Sequence, residues 1–547
     1  MKIKIAKKAG FCMGVRRAVN LVLKALNAGK TPLYTYGPLI HNPQTLELLE
    51  RLGVKAIKRV DEAVPQGTCI IRAHGVPPKE KEALERRHTV IDGTCPRVLK
   101  VQALAKRAVE QGKKVVIIGD KDHAEVKGIL GYCEGAGYVV SSYQDIENLP
   151  PLQDYVILSQ TTQDEEVFNL LSQEILSRYP GGEVINTICN ATEVRQSEVR
   201  RLSQECPAIV VIGGKFSANT ARLAQIAQAE GKKVFLIERA EELPLEELKK
   251  FPSLGITAGA STPNWLINEV VDRLKSATQP FYRLFKAFQL LAFNEALSFL
   301  FLFLALSLWT SIASIKALIS LSASAFFLQL FRKNLANYLL KETFQTYYPL
   351  KGKSLTRHSK LHLALILLSL ALTLVSALTF NPRIISLIVA IILLDLLLLR
   401  GPIYFINDFL LLLGLVLYLY PYWTEPFLWL TFMAFLLLFW LNLYKELIYL
   451  QTDGFLPKKF LILSLPWSEK RWQKVLFLGL ILLLFYIGFL SLYLGKWTFI
   501  FLALLLPIKA LLLYLLKQRP LGQIMYLESL YLLPNLTFLL ISILLIL

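Results

Sequence analysis

The sequence predicts an α/β domain over residues 1–280, followed by an all-α domain of about nine membrane-spanning helices over residues 281–547. Composition is the first observation, because charged residues and glycines are spread evenly up to about residue 280 and Leu, Ile, Phe and Tyr dominate after it. Local pattern is the second, because short β-branched segments alternate with helical ones before that point and long apolar segments follow it. The length of 547 residues is enough for several domains.

Short β-branched segments of the first part end at glycine, histidine or serine and give way to a helical pattern. The clearest pairs of segment and turn residue are 115–118 with His123, 208–212 with Ser217, and 253–257 with Ser261. This alternation is typical of α/β folds, whose ligands bind at the carboxyl ends of strands, where helix N-termini present free N–H groups. None of these turns has the pattern of a P-loop or a dinucleotide-binding loop.

Nine apolar segments in the second part approach the roughly 20 residues that span a bilayer. They cover residues 289–309, 311–330, 361–380, 384–400, 402–420, 426–444, 474–494, 497–516 and 527–547. Lys and Arg concentrate after the second, sixth and eighth segments, as in Arg332, Lys333, Lys458 and Arg519. Because cytoplasmic loops of membrane proteins carry the positive charge, the pattern places these loops and the first part in the cytoplasm.

The ends and charges of the chain agree with this localisation. The first residues lack the apolar core of a secretory signal, so we expect the front domain to be cytoplasmic and the chain to be a multi-pass protein of a bacterial inner membrane. The net charge of the chain is +19. Most of it comes from the second part, which has 22 Lys and Arg against 9 Asp and Glu. A basic excess in membrane loops needs no nucleic acid to explain it, and we expect none as a partner.

Three of the six cysteines follow strand-like segments in similar turns. Cys12, Cys95 and Cys189 are 83 and 94 residues apart, one in each third of the front domain. A reducing compartment disfavours disulfides, and thiolates suit an iron–sulfur cluster held by three similar subdomains, with one iron left open. A zinc site with three cysteines and ordinary buried thiols are the alternatives. The other three cysteines lack this turn context and are interpreted as ordinary thiols.

Neutral hydrogen-bond donors occupy other loops of the same kind. Three of the six histidines, His41, His74 and His123, stand beside glycine, proline or acidic residues, and Ser217, Asn219 and Ser261 occupy further loops. Such side chains, together with helix N-termini, can bind an anionic ligand such as a diphosphate without a P-loop. A lone histidine is more often an ordinary surface or core residue, so the prediction depends on the set.

Taken together, these turns closely resemble the LytB-type 4-hydroxy-3-methylbut-2-enyl diphosphate reductase family over about residues 1–276. The resemblance implies three similar α/β subdomains around a central [4Fe–4S] cluster held by Cys12, Cys95 and Cys189. It further implies that the open iron binds the C4 hydroxyl of the substrate, that Thr161 lies near this hydroxyl, and that Glu125 supplies the proton, with His123 beside it. The diphosphate would be held by His41, His74, His123, Ser217, Asn219 and Ser261, with Ala218 in place of a second hydroxyl residue found in many relatives.

The implied reaction is the reductive removal of this hydroxyl, which yields isopentenyl and dimethylallyl diphosphate in the last step of the methylerythritol phosphate route. The open iron would act as a Lewis acid, two electrons would enter through the cluster, and protonation by Glu125 would let water leave. The implied partners are the small allylic diphosphate, an electron donor such as ferredoxin or flavodoxin, and the lipid bilayer.

Two other functions stay open at this point. A non-catalytic iron–sulfur sensor or diphosphate-binding module would not need the proton donor Glu125. A bifunctional protein would use its membrane half as a prenyltransferase or a lipid-handling enzyme. That half faintly resembles intramembrane aromatic prenyltransferases, yet the loop around Asn334 and Asn337 has no aspartate for a Mg²⁺-diphosphate. The simpler interpretation is a membrane anchor or a scaffold that has lost its chemistry. Asp395 and Asp408 lie within or beside apolar segments, where buried charges are often functional, unless they sit near the interfaces.

Overall fold

The computed structural model describes residues 1–308, 314–341, 354–380 and 383–398. The chain divides into two units, Met1–Thr278 and Gln279–Leu547. The first unit alternates strands and helices, and the described part of the second is helical.

Twelve strands of the first unit form three four-stranded sheets in which every pairing is parallel. Along the chain these strands are β1 (Lys2–Ile5), β2 (Leu33–Tyr36), β3 (Val54–Ile57), β4 (Thr68–Ile71), β5 (Thr89–Asp92), β6 (Lys114–Ile118), β7 (Gly137–Val140), β8 (Tyr155–Ser159), β9 (Glu183–Val184), β10 (Ala208–Ile212), β11 (Lys233–Ile237) and β12 (Ser253–Ala258). The strand orders are β3-β2-β4-β5, β7-β6-β8-β9 and β11-β10-β12-β1.

All three sheets share one topology. When the four strands of a sheet are numbered one to four, their order across each sheet is two, one, three, four. In the last sheet the fourth position is taken by β1, which pairs with β12 from Lys2 opposite Ser253 to Ile5 opposite Ile256. The start of the chain therefore completes the subdomain built from the end of this unit, and the front domain consists of three similar α/β subdomains.

Helices connect the strands of the first unit. They are α1 (Met13–Asn27), α2 (Pro43–Arg51), α3 (Pro78–Glu85), α4 (Pro96–Glu110), α5 (Ala124–Leu130), α6 (Tyr143–Glu147), α7 (Glu165–Arg178), α8 (Asn190–Glu205), α9 (Ala218–Ala229), α10 (Leu245–Leu248) and α11 (Asn264–Thr278). Two short 3₁₀ segments, Gly131–Cys133 and Ala240–Glu242, complete the connections.

The strand β6 shows why these sheets are buried on both faces. Val115 and Ile117 pack with one apolar cluster that includes Val101 of α4, whereas Val116 and Ile118 pack with a second that includes Phe168 of α7. Alternate residues of a strand point to opposite faces, so a parallel strand covered by helices on both sides needs a continuous apolar run. The rigid strands fix the positions of the turns that follow them.

The described helices of the second unit are α12 (Pro280–Leu290), α13 (Phe293–Ser307), α14 (Ile315–Leu339), α15 (Ser359–Phe380) and α16 (Arg383–Leu398). Of the described helices, α14 and α15 are long and apolar enough to cross a membrane. The helices α12 and α13 meet at 66° and would pass the same test as one broken span. Residue Ala292, between them, has a positive φ of 59°.

The described helices differ from the predicted spans in two places. The first predicted span, 289–309, contains the bend at Ala292, so the helix that should cross there is broken near its start. The second, 311–330, continues as α14 to Leu339. The apolar pattern of this segment ends where Arg332 and Lys333 begin, but the backbone hydrogen bonds of the helix continue beyond them. The spans predicted beyond residue 400, together with Asp408, lie outside the described residues, and Asp395 lies in α16.

Polar side chains on the extended end of α14 are buried rather than solvated, contrary to the predicted loop. Arg332 is 6% exposed and Asn334 is fully buried. The Asn334 amide donates to the carbonyls of Leu330 and Leu291 at 2.9 and 3.0 Å, and its Oδ1 lies 2.7 Å from Nδ1 of His362 on α15. Buried polar groups persist in apolar surroundings when they pair with one another in this way.

Candidate active site

Each subdomain places a cysteine in the loop after its fourth strand, at the N-cap of the next helix. Cys12 follows β1 and begins α1, Cys95 follows β5 and begins α4, and Cys189 follows β9 and begins α8. A helix N-terminus carries partial positive charge and free N–H groups, which stabilise a thiolate. The repeated topology therefore supplies three cysteines at equivalent positions.

The backbone of each cysteine is anchored in an equivalent way. Its N–H donates to the carbonyl of the residue two positions after the third strand of the same sheet. The three bonds are Cys12 N to Ala260 O at 3.0 Å, Cys95 N to Ala73 O at 2.9 Å and Cys189 N to Thr161 O at 2.9 Å. Ser261, His74 and Thr161 itself lie at these third-strand turns, so each predicted ligand cysteine is tied to a predicted substrate-binding residue.

The subdomain completed by β1 and the subdomain of β2 to β5 meet at Gly14. A Cβ added at Gly14 would lie 2.5 Å from Sγ of Cys95, which is closer than atoms can approach, so a larger residue would displace the thiol. On the same turn, Sγ of Cys12 accepts a hydrogen bond from Val15 N at 3.5 Å. The start of α1 thus brings Cys12 and Cys95 to one place.

The spacing of the three thiols can be compared with the two kinds of metal site that the sequence allows, a zinc site and an iron–sulfur cluster. Among the residues that the structure describes, only His41, His74 and His123 form a set of three or more ligating side chains with atoms within 4.8 Å of one another. The Sγ atoms of the three cysteines therefore do not all lie within 4.8 Å of one another. A multi-iron cluster holds its thiolates farther apart than a single ion does, so the donor type, the three helix N-termini and the wider spacing fit an iron–sulfur cluster.

The remaining cysteines do not belong to this site. Cys69 and Cys133 are fully buried and Cys206 is 2% exposed. Burial raises the pKa of Cys69 and of Cys133 to about 12, which keeps both thiols protonated. These residues fill apolar core, as the sequence interpretation expected.

The three histidines from different turns form one cluster. The ring centroids of His41 and His74 are 4.5 Å apart, and His123 lies 5.6 and 5.3 Å from them. His41 follows β2 and His74 follows β4, whereas His123 belongs to another sheet and is the N-cap of α5. Loops of two subdomains therefore contribute to this cluster.

Burial keeps these imidazoles neutral. It lowers the pKa of His123 to about 4 and the pKa of His74 well below the ordinary value, and His41 shifts in the same direction. Their mutual repulsion and Arg72 add to the effect. Within the described part of the chain, Nε2 of His41 and Nδ1 of His74 are buried without a hydrogen-bond partner. Unpaired buried nitrogens are costly unless a ligand accepts from them, which fits an anion.

Glu125 and Thr161 form a buried pair between α5 and the turn after β8. Glu125 is 1% exposed and Thr161 is 5% exposed. The Glu125 carboxyl accepts from Thr161 N at 2.6 Å and from Thr161 Oγ1 at 2.8 Å. Burial raises the pKa of Glu125 to about 7, although both hydrogen bonds oppose the shift. A carboxyl with this pKa can hold a proton at neutral pH and release it, as a general acid must.

This pair is connected directly to a candidate ligand. The carbonyl of Thr161 accepts from Cys189 N at 2.9 Å and from Thr192 Oγ1 at 3.2 Å. His123 adjoins the other end, because its Nδ1 accepts from Glu125 N at 3.2 Å. One continuous set of hydrogen bonds therefore links the histidine cluster, the carboxyl and the cysteine.

The third subdomain contributes the neutral donors. Ser217 is the N-cap of α9, where its hydroxyl accepts from Thr220 N at 3.4 Å, and Ala218 is the first residue of that helix. Asn219 is 4% exposed, and both polar atoms of its side chain lack a partner within the described residues. The Ser261 hydroxyl donates to the carbonyl of His41 at 3.0 Å, which joins this subdomain to the histidine cluster.

The predicted site omitted one charged side chain. Arg195 on α8 is 5% exposed, and its guanidinium donates to Gly10 O at 2.8 Å and to Ala191 O at 2.7 Å. The sequence does contain a signal for this burial, because Arg195 lies on the same helix face as Val199 and Leu202, which are fully buried. A charged residue on an apolar helix face is uncommon and indicates a special role.

The first unit is similar to proteins of a known family. Residues 3–275 match the LytB protein family. The chain is 43% identical over 277 residues to the 4-hydroxy-3-methylbut-2-enyl diphosphate reductase of Citrifermentans bemidjiense, a match that covers 50% of this chain and 98% of the relative. The reductase of the same name from Aquifex aeolicus is also 43% identical over 277 residues, with 50% and 96% covered.

Solved structures give the same match. One described as (E)-4-hydroxy-3-methyl-but-2-enyl diphosphate reductase, the terminal enzyme of the non-mevalonate pathway, is 42% identical and covers 50% of this chain and 100% of its own, with a TM-score of 0.41. A reductase structure from Plasmodium falciparum is 27% identical and covers 51% and 89%, with a TM-score of 0.49.

The relatives described above share one half of this chain. Each covers 50 or 51% of it, and none supports the predicted likeness of the second half to aromatic prenyltransferases. In contrast, nearly the full length of the two bacterial relatives is matched by this one segment. Through its N-terminal half, the chain belongs to the LytB protein family.

Proposed function

We propose that the N-terminal domain is a 4-hydroxy-3-methylbut-2-enyl diphosphate reductase, which removes the C4 hydroxyl of its substrate as water and yields isopentenyl and dimethylallyl diphosphate. The observation that carries the proposal is the buried Glu125–Thr161 pair, hydrogen-bonded to Cys189 on one side and to His123 on the other. A binding module would have no need of a buried acid with a pKa of about 7 at this position.

The substrate diphosphate would lie between the histidine cluster and the third subdomain. His41 and His74 provide neutral imidazole nitrogens, and Asn219 provides an amide whose polar atoms are buried without a partner in the described residues. Ser217 and the backbone N–H of Ala218 add donors at the N-terminus of α9. Neutral donors and a helix N-terminus stabilise phosphate charge, and burial strengthens each hydrogen bond.

The hydroxyl end of the substrate would lie near Thr161. The Thr161 hydroxyl donates to Glu125 and can accept a hydrogen bond from the substrate, so it orients that hydroxyl toward the acid. Glu125 delivers the proton with which the C4 oxygen leaves as water. The second proton ends on the allylic carbon skeleton, at either end, which gives the two products.

Cys12, Cys95 and Cys189 would hold a [4Fe–4S] cluster in this proposal. When bound, it would pass the two electrons of the reduction from an external donor to the substrate and would offer a Lewis-acidic iron with an open position. The role of the protein is to fix three thiolates at helix N-termini and leave the fourth position free of a cysteine. The burial of Glu125, which is 1% exposed, would keep competing water away from the allylic system.

The electron donor would be an acidic redox protein such as ferredoxin or flavodoxin. The helix α1 begins at Cys12 and exposes Met13, which is 62% accessible, together with Arg16 and Lys24. These residues line an open pocket of about 610 Å³. A basic surface on the helix that follows a candidate cluster ligand suits an acidic partner, because complementary charge increases the rate of association.

The second unit would place the reductase at a membrane. Two described helices are long and apolar enough to span a bilayer, and a bent pair could be a third. With the basic loops predicted on the cytoplasmic side, the chain would be a multi-pass protein of a bacterial inner membrane with a cytoplasmic catalytic domain.

The test is anaerobic purification of the full chain in detergent, followed by iron analysis and a reductant-dependent assay with hydroxymethylbutenyl diphosphate. The proposal expects a brown protein that forms both five-carbon diphosphates. A protein with a cluster but no turnover would refute the catalytic role and favour a sensor. A colourless zinc protein would refute the cofactor assignment.

A further inference from the structure

The three subdomains are not equivalent six residues after their cysteines. The three positions are Ala18, Val101 and Arg195, and they are 0, 1 and 5% exposed. All three lie on the buried face of the helix that the cysteine begins. Since alanine and valine fill two of these positions, the architecture itself does not require an arginine at the third.

Arg195 is a buried cation without a carboxylate partner. Its guanidinium donates to two carbonyls, Gly10 O at 2.8 Å and Ala191 O at 2.7 Å, and Nε has no partner among the described residues. No ion pair within 4.0 Å is present for Arg195 in the described structure. Burying an unpaired charge costs several kcal/mol, so a nearby negative charge is expected to offset it.

The contacts of Arg195 indicate where that negative charge lies. Gly10 precedes Cys12 by two residues, and Ala191 follows Cys189 by two residues. The guanidinium therefore bridges the turns that carry two of the three candidate ligands. Burial lowers the pKa of Arg195, whereas Cys12 and Cys189, and after them the Glu198 carboxylate, act in the opposite direction, which agrees with a position close to both sulfurs.

We propose that Arg195 is a positioning residue that sets the reduction potential of the cluster through its fixed positive charge and holds the Cys12 turn against the start of α8. Three thiolates give a [4Fe–4S] cluster a net negative charge, and each added electron increases it. A cation in the low-dielectric interior favours the reduced state, because net charge and surroundings set the potential of such clusters.

The expected size follows from Coulomb's law. One charge at a distance on the order of 10 Å, with an effective dielectric constant of about 20, changes the equilibrium constant of one-electron reduction by roughly tenfold. For a one-electron couple, a tenfold change corresponds to about 59 mV. The inference rests on the proposed function, since it requires the cluster.

The experiment is a redox titration of the full chain in detergent, with the cluster followed by electron paramagnetic resonance. Arg195→Gln removes the charge, and Arg195→Val removes it with the residue type that the subdomain of β2 to β5 has at the equivalent position, Val101. Arg195→Lys keeps the charge. The matched control is Arg200→Gln, which removes a more exposed charge from the same helix; the Arg200 side chain is 34% exposed.

We expect the equilibrium constant for one-electron reduction of the cluster to be about tenfold lower in both neutral variants than in the unmodified chain. In Arg195→Lys and Arg200→Gln this constant should stay within twofold of that of the unmodified chain. Unchanged potentials in the neutral variants, or an equal shift in Arg200→Gln, would overturn it. If neither neutral variant folds while Arg195→Lys does, Arg195 has only a structural role and the inference is also overturned. An unmodified chain that binds no iron would refute the proposed function first, and the inference with it.

Discussion

Replacing Glu125 by glutamine removes the proposed proton donor and leaves the site otherwise similar. The side chain keeps its volume in a position that is 1% exposed. The amide oxygen can still accept from Thr161 N, which now lies 2.6 Å from the carboxyl, and the Thr161 hydroxyl can rotate to accept from the new NH₂ group. We therefore expect normal folding and normal iron content.

The expected loss of activity is that of a general acid. Such a group contributes about 10²- to 10⁴-fold to the rate, which is about 3 to 5 kcal/mol of transition-state stabilisation. The pH dependence gives a second signature. Because the pKa of Glu125 in the substrate-free protein is about 7, the protonated fraction, and with it kcat/KM, should fall as pH rises above about 7. In Glu125→Gln this alkaline limb should be absent.

The assay is steady-state reduction of hydroxymethylbutenyl diphosphate by dithionite and a viologen between about pH 6 and 9, beside the visible spectrum of each protein. Glu193→Gln is the matched control, because Glu193 is exposed on α8 and only four residues from Cys189. We expect kcat of this control within about twofold of the unmodified chain. A Glu125→Gln variant that keeps full kcat, or that keeps the alkaline limb, would refute the role of Glu125 as the acid.

Three other predictions test the remaining parts of the site. Cys12→Ser should lose most bound iron and Cys133→Ser should keep it, as measured by iron content after anaerobic reconstitution; equal retention would contradict the ligand assignment. The pKa of His123 falls from 6.5 in the unfolded chain to about 4 in the folded one, so the free energy of unfolding should fall by about 1–3 kcal/mol as pH drops from 6.5 to 4. His123→Asn should flatten this slope in urea titrations of the cluster-free chain, and an unchanged slope would refute the assignment. Reversing Arg16 and Lys24 to Glu should raise KM for a reduced ferredoxin about tenfold and leave the viologen-driven rate unchanged, whereas an equal loss with both donors would exclude this docking surface.

Much of the site could be predicted because strand ends determine it. A β-branched segment followed by Gly, His or Cys indicates a turn at the carboxyl end of a parallel strand, and such turns meet at one edge of a sheet. His123 and Ser217 were found in this way. The resemblance to a family then gave roles to Glu125 and Thr161 that the turns alone could not give, since a carboxylate in a turn is usually solvated.

Other features could not be predicted, because they depend on contacts between distant segments. The sequence has no signal that β1 completes the sheet of β10 to β12, since this pairing joins residues about 250 positions apart. The burial of Arg195 had a helical signal, but its two carbonyl acceptors come from different parts of the chain. In the second unit, charge predicted a loop after residue 330, whereas α14 continues to Leu339 with Asn334 fully buried.

By itself, the sequence determined that the chain has an α/β half and an apolar half, and that three cysteines and three histidines stand at the ends of strands. These are local properties, because periodicity and turn residues act over a few positions. The tertiary structure decided which of these turns meet. It placed the histidines of two sheets within 6 Å of one another and bonded Glu125 to Thr161. It also put three helix N-termini in equivalent positions, because three sheets of one topology repeat the same strand-to-helix turn.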